Sequence, residues 1–182
     1  MKIVVLIAKG FEEIEAITLI DLLRRANLEV TTVSIYRHNE VEGGHKIKVI
    51  TDAVFDEVDF NIFDAIIFPG GGEGVLNLAG EDKIIDLVKK MNNGGKYVIS
   101  ICAAAFVLER AGVIENRIVT CYPTWEDKIT SAKIIRDNVI VDEKIITGRG
   151  VGAAIDLGLK LVEVFCSKSD SEKLKNQIVY KN

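Results

Sequence analysis

Three short, almost wholly apolar runs, each followed by a turn and a helical pattern, limit this chain to very few folds. Lys2–Ala8 leads into Glu12–Ala26, Asp64–Pro69 into Gly72–Ala79 and Glu81–Met91, and Lys96–Ile101 into Ala103–Ala111. A strand with one wet face alternates polar and apolar residues, whereas a strand with no polar face must be covered on both sides. The intervening helices provide that cover, so the pattern predicts an α/β protein with a mostly parallel sheet inside two helical layers. Glu29–Tyr36 reads as a further strand. The alternation changes between Arg37 and Asp59, where His45–Ile50 reads as a strand within an excursion. Ile118–Cys121, Lys133–Arg136 and Val139–Thr147 add late strands, with turn sites at Asn138 and at Asp142-Glu143. Gly152–Phe165 reads as a helix with Ala153, Ala154, Leu157, Leu161 and Val164 on one face. Of the charged stretch Lys168–Asn182, only the middle reads as helical. No linker or repeat interrupts the 182 residues, which are expected to form one domain, 1–182.

Composition removes several classes of function. A hydrophobic content of 48% implies a large core, and a net charge of −4 without a basic patch argues against nucleic acid. Cys102, Cys121 and Cys166 are an odd number at unrelated spacings, which fits neither a zinc motif nor a disulfide framework. No run approaches the roughly 18 apolar residues of a membrane span, and Met1–Ala8 lacks the length and cleavage site of a signal peptide. A cytoplasmic protein, with no membrane or nucleic-acid partner, is expected.

Chemistry concentrates where strands end. In a parallel sheet the carboxyl ends of the strands gather the ligand site, and three loops leave such ends here: Lys9–Glu15, Pro69–Gly74, and Cys102 with its successors. Cys102 falls at the hinge between a buried strand and a helix. There the unpaired N–H groups and the positive dipole end favour a thiolate and lower a pKa that is ordinarily about 8.5. A buried cysteine acting as a small hydrophobe fits the same place. Gly70-Gly71-Gly72 either presents backbone N–H groups to an anion or simply makes a tight turn. It has neither dinucleotide-fingerprint nor Walker spacing. Glu12, Glu13 and Glu15 open the first helix, where acids meet the dipole favourably. Glu15 points with Phe11 and Leu19 toward the core, so it needs a hydrogen bond or a proton.

Four motifs, in order, resemble the ThiJ/PfpI superfamily and most closely its parkinsonism-associated DJ-one branch. They are Ala8-Lys9-Gly10-Phe11-Glu12-Glu13-Ile14-Glu15, Phe68-Pro69-Gly70-Gly71, Ser100-Ile101-Cys102-Ala103 and Thr147-Gly148-Arg149-Gly150. The resemblance implies a flavodoxin-like three-layer α/β/α sandwich with Cys102 on a nucleophile elbow and Glu15 hydrogen-bonded to it. It also implies an oxyanion pocket made by the N–H groups of Gly71 and Ala103, oxidation of the cysteine to sulfinate, and a homodimer. Ala104 stands where many relatives have a second elbow glycine, which implies a tighter turn.

Histidine departs from the pattern. Ala103 stands where protease-like members have His, and Tyr122 precedes Pro123 where the branch has His before a proline. A peptidase triad within one subunit is therefore not expected, because a base must lie within hydrogen-bond reach of the nucleophile. His45 stands at a position that in the branch reaches the partner's cysteine site, or is a solvated loop residue. Tyr122 donates in the pocket or is simply packed, and Gly70 completes the candidate pocket. Three functions follow from the resemblance. The first is a cofactor-independent, metal-free glyoxalase or deglycase acting on methylglyoxal or other small carbonyls. The second is a stress or chaperone-like protein sensing an oxidant at Cys102. The third is an amidohydrolase or peptidase.

Overall fold

The computed structural model describes residues 1–180. Strand β1 (Lys2–Ile7) is followed by α1 (Glu13–Arg25) and β2 (Glu29–Ser34). The excursion holds β3 (Glu40–Glu42), β4 (Lys48–Ile50) and β5 (Ala53–Val54). Next come β6 (Ala65–Phe68), α2 (Gly72–Ala79), α3 (Asp82–Asn93), β7 (Tyr97–Ile101) and α4 (Ala105–Arg110). The chain continues through β8 (Ile118–Val119), β9 (Lys133–Ile134), β10 (Val139–Asp142) and β11 (Ile145–Gly148) to α5 (Ala154–Phe165) and α6 (Lys168–Gln177). Seven strands form the central sheet in the order β10-β11-β7-β6-β1-β2-β5. Every pair is parallel except β10–β11, a hairpin whose turn puts Glu143 at φ 54°.

The middle of the sheet is dry because its sequence is apolar apart from the buried Ser100. Ile3–Leu6 of β1, all four residues of β6 and Val98–Ile101 of β7 are fully buried. Helices α1, α5 and α6 pack together on one side, and α2, α3 and α4 on the other. α3 shows how the sequence sets this up: Ile84, Ile85, Leu87, Val88 and Met91 recur at helical spacing and are buried, while its lysines face out. Each such side chain contributes about 1.5–3 kcal/mol of hydrophobic stabilisation.

Several elements differ from the sequence reading. His45–Ile50 does not join the main sheet: β4 pairs antiparallel with β3 in a separate hairpin, and His45 lies in its turn. Ile118–Cys121 and Lys133–Arg136 shrink to two paired residues each, β8 with β9, outside the central sheet. Here apolar β-branched residues mark burial against the core, not a ladder. Helices α4 and α5 begin later than expected, because the turns Cys102–Ala104 and Val151–Ala153 are 3-10 wound. On α5, Leu159 and Val162 are buried as well, while Val164 is only half-buried. The last helix starts at the beginning of the charged stretch, where the Ser167 hydroxyl caps the Asp170 N–H. Residues 181–182 of that stretch lie outside the described residues.

Candidate active site

Cys102 sits where β7 gives way to α4, and the backbone there takes an unusual path. Ile101 is still extended, Cys102 has a φ of 62°, and Ala104 and Ala105 are helical. The left-handed region costs a non-glycine residue on the order of 1–2 kcal/mol, and a β-branched one more. A cysteine carries a single substituent on Cβ and tolerates it. Ala103, Ala104 and Ala105 are all buried, so the turn is wedged into the core by small residues that leave it little room to relax. The Tyr122 N–H donates to the Cys102 carbonyl at 3.2 Å and holds the elbow from the other side.

Three loops converge on this thiol. Glu15, in the first turn of α1, is completely buried, and its Oε2 accepts from the Gly70 N–H at 2.8 Å. Oε1 finds no hydrogen-bond partner, and the carboxyl lies near enough to the Cys102 thiol for each to shift the other's titration. Gly70 must be glycine: a Cβ there would lie 2.5 Å from Glu15 Oε2 and 2.7 Å from Cys102 Cβ. Gly71, at φ 93°, turns its N–H toward the sulfur, as does Ala103. The loops are tied to one another, with the Glu12 N–H donating to Gly70 O at 2.9 Å and the Gly74 N–H to Gly10 O at 3.2 Å.

Burial dominates the electrostatics. It pushes the Glu15 carboxyl up from 4.5 to about 7, against the lowering effect of the Gly70 N–H and the thiol, and the charge of Glu12 raises it further. The Cys102 thiol is 8% exposed. Burial first, and then the Glu15 carboxylate, push its pKa up, with the Ala103 and Gly71 N–H groups acting in the opposite sense. The expectation of a depressed thiol at a helix end is therefore corrected, and the buried placement is the one found. The two backbone donors do favour a thiolate, but desolvation and a neighbouring acid outweigh them. Two acids in contact share one negative charge, and their titrations belong to the pair.

Tyr122 lies beside the site. A methyl group on Gly150 would stand 3.2 Å from Tyr122 Cδ2 and 4.0 Å from Cys102 Sγ, so ring and sulfur flank the same glycine. His45 is placed elsewhere. Its N–H and Nδ1 both engage Glu13, at 2.7 and 2.8 Å, on an exposed loop, and that contact raises the histidine pKa. The bond to Glu13 replaces any contact with Cys102 in the same subunit. Glu12, Glu13 and His45 bring three metal-ligand atoms within 4.8 Å of one another, with Glu13 already committed to His45. All three cysteines are free. Cys121 is buried, and burial and then Glu126 push it up to about 11, whereas Cys166 is exposed at the end of α5.

Trp125 stands in none of the sequence motifs, and Arg149 enters only within Thr147-Gly148-Arg149-Gly150. Trp125 reaches within 3.9 Å of a Cβ placed on Gly72, next to Gly71, and Arg149 lies 3.9 Å from Glu126 with its Nη1 buried and unpartnered. The lone tryptophan, three residues after Tyr122, was the available signal.

A parallel α/β sandwich with a cysteine on a strand–turn–helix elbow, faced by a buried glutamate, defines a class of elbow-cysteine proteins. The chain belongs to the DJ-1/PfpI family, whose model matches residues 1–164. It is similar to protein DJ-1 homolog A of Arabidopsis thaliana, 36% identical over 174 residues, which cover 95% of this chain but 44% of that one. The chain thus spans less than half the length of that relative. The glutathione-independent glyoxalase DJR-1.2 of Caenorhabditis elegans is 35% identical over 157 residues, 84% of this chain and 81% of its own. Among solved structures, a cysteine-to-alanine variant of a DJ-1 superfamily protein of Salmonella typhimurium superposes with a TM-score of 0.95. It is 30% identical and covers 100% of this chain and 99% of that one.

Proposed function

We propose that the protein is a cofactor-independent glyoxalase that converts 2-oxoaldehydes to 2-hydroxy acids at Cys102. The observation that carries this reading is the Cys102–Glu15 pair, in which a carboxyl with a pKa of about 7 touches a thiol faced by two backbone N–H groups. The name of the nematode relative is in keeping with it. Cys102 sulfur adds to the aldehyde carbon, and its proton passes through Glu15 to the new hydroxyl, giving a hemithioacetal. The Gly71 and Ala103 N–H groups hold the oxyanion as it forms. Glu15 then takes the proton from the first carbon and returns it to the second, while the hydroxyl proton passes from the first oxygen to the second through the enediol, which isomerises the adduct to a 2-hydroxy thioester. Water hydrolyses the thioester, releasing the 2-hydroxy acid and restoring the thiol. A base poised near neutrality suits both proton transfers, and one carboxyl performs them without a histidine.

The test is lactate formation from methylglyoxal by freshly reduced protein. Activity abolished in Cys102→Ala and lowered at least a hundredfold in Glu15→Gln is the expected result. No turnover, together with stoichiometric uptake of two oxygens at Cys102 under mild peroxide, would favour oxidant sensing instead. Amide hydrolysis that depends on Cys102 would favour a peptidase. Three unpaired cysteines are in keeping with a reducing compartment, which we take to be the cytoplasm. No helix among the described residues is long and apolar enough to cross a membrane. We also propose a homodimer. Ile14 and Ile17 on α1 and Ile47 and Ile50 on the neighbouring hairpin are 46–70% exposed, and Ile17 and Ile50 line one small cavity. Exposed isoleucines on these two elements are suited to contact with a second copy of the chain.

A further inference from the structure

We infer that Tyr122 and Trp125 form an aromatic wall at Cys102 that selects 2-oxoaldehydes bearing a phenyl or similarly large apolar group over methylglyoxal. The inference rests on the glyoxalase reading for its substrate class, and on geometry for its direction.

Each ring of the wall stands against a glycine of a loop that meets the elbow. Tyr122 Cδ2 and Cε2 lie 3.2 and 3.8 Å from a methyl position on Gly150 that is itself 4.0 Å from Cys102 Sγ, so ring edge and thiol border the same point beside Gly150. Trp125 Cζ2 lies 3.9 Å from a methyl position on Gly72, one residue beyond the Gly71 N–H that faces the sulfur. Gly150 and Gly72 carry no side chain, and the two rings stand against the spaces this leaves.

The wall is also held in place. The Trp125 N–H donates to Tyr122 O at 2.9 Å, and Pro123 starts the 3-10 turn that carries both rings. Trp125 packs on Phe106 of α4 with ring centroids 5.6 Å apart at 58°, while Lys128 Nζ stands 5.3 Å from the Trp125 ring. The helix that begins at the elbow therefore also braces the tryptophan. Tyr122 is 43% exposed and Trp125 half-buried, so both rings keep apolar surface that no other described residue covers.

Attack at the sulfur fixes where a substrate must point. With the aldehyde carbon on Sγ and its oxygen at the Gly71 and Ala103 N–H groups, Glu15 closes the inner side. The substituent on the second carbon then leaves toward the open side, between Gly150 and Gly72. A methyl group offers the rings little surface to cover. A phenyl group extends onto them, exchanging water for an aromatic contact, and the fixed rings lose little entropy in making it.

Initial rates with phenylglyoxal and with methylglyoxal, measured for wild type, Trp125→Ala, Trp125→Phe and Tyr122→Ala, test this. The expected phenyl-to-methyl ratio of kcat/KM is on the order of ten in wild type, falls roughly tenfold in Trp125→Ala, and is largely kept in Trp125→Phe. A second readout needs no turnover: the ratio of Cys102 alkylation rates by iodoacetanilide and iodoacetamide should fall in the same variants. A ratio near one in wild type, or one unchanged by Trp125→Ala and Tyr122→Ala, overturns the wall. If neither oxoaldehyde is turned over, the glyoxalase reading fails by itself, and the alkylation ratio alone decides whether the wall exists.

Discussion

Glu15 and Cys102 compete for a single negative charge in a place that disfavours any charge. Burial raises both, so the carboxyl titrates near neutrality and the thiol loses its proton only against the carboxylate next to it. Alkylation of Cys102 as a function of pH should therefore show an inflection near pH 7 that belongs to Glu15. In Glu15→Gln that inflection should vanish, leaving a single thiol titration. A profile with the same inflection in both proteins would contradict the coupling. Gly70 is the other sensitive position. A methyl there meets the carboxylate oxygen and the cysteine Cβ, so Gly70→Ala should cost about 1–3 kcal/mol by overpacking and should displace Glu15. Urea denaturation measures the first effect and the alkylation profile the second. That Glu15 turns inward was legible, because helical spacing puts it with Phe11 and Leu19. The sign of the thiol shift was not legible, because it depends on depth beneath the surface and on what faces the sulfur.

The elements around the site are joined by side chains reaching across loops. Glu109, near the end of α4, accepts from the N–H and hydroxyl of both Thr130 and Ser131, at 2.6–3.1 Å. This one carboxylate closes the loop that runs from the 3-10 turn of Trp125 to β9. Those bonds also hold the Glu109 pKa down against its partial burial. Glu109→Ala should therefore destabilise the protein by about 2–3 kcal/mol, with several charge-assisted bonds lost at once. Hydrogen exchange should show the loss of protection centred on Thr130 and Ser131. An effect below about 0.5 kcal/mol would mean that water replaces the carboxylate there. No sequence rule links residue 109 to residues 130–131, since the pairing is purely tertiary. The elbow is different. A strand ending in Ile101, then cysteine, then three alanines already announces a tight strand-to-helix turn, although the 3-10 winding of its first residues comes from the close packing of those alanines.

At the scale of the molecule, pH and association report on different parts of it. The move of Glu15 from 4.5 to about 7 corresponds to about 3 kcal/mol. Between those pH values the folded protein keeps a proton that the unfolded chain releases, so stability should fall as pH rises through that window and level off above it. Glu13, Asp52 and Glu109 are shifted downward, so their contribution is present above the ordinary carboxylate range and is lost as pH falls through their lowered values. The unfolding free energy from denaturant titrations should fall by about 2 kcal/mol less between pH 5 and 7 in Glu15→Gln than in wild type. Light scattering tests the proposed pairing: Ile17→Lys should shift the mass toward the monomer while leaving the thermal transition of the isolated chain nearly unchanged. A wild type that is monomeric at high concentration would overturn the dimer. By itself the sequence determined the layered parallel sheet, because runs without a polar face can be buried in no other way. It also determined that the loops bearing Glu15, Gly70 and Cys102 meet, because parallel strands deliver their carboxyl ends to one edge. Only the tertiary structure decided the rest: which short apolar runs became ladder strands, that His45 binds Glu13, and that Trp125 packs on Phe106 beside Gly72. Those outcomes turn on distances between segments far apart in the chain, and local pattern carries no information about them.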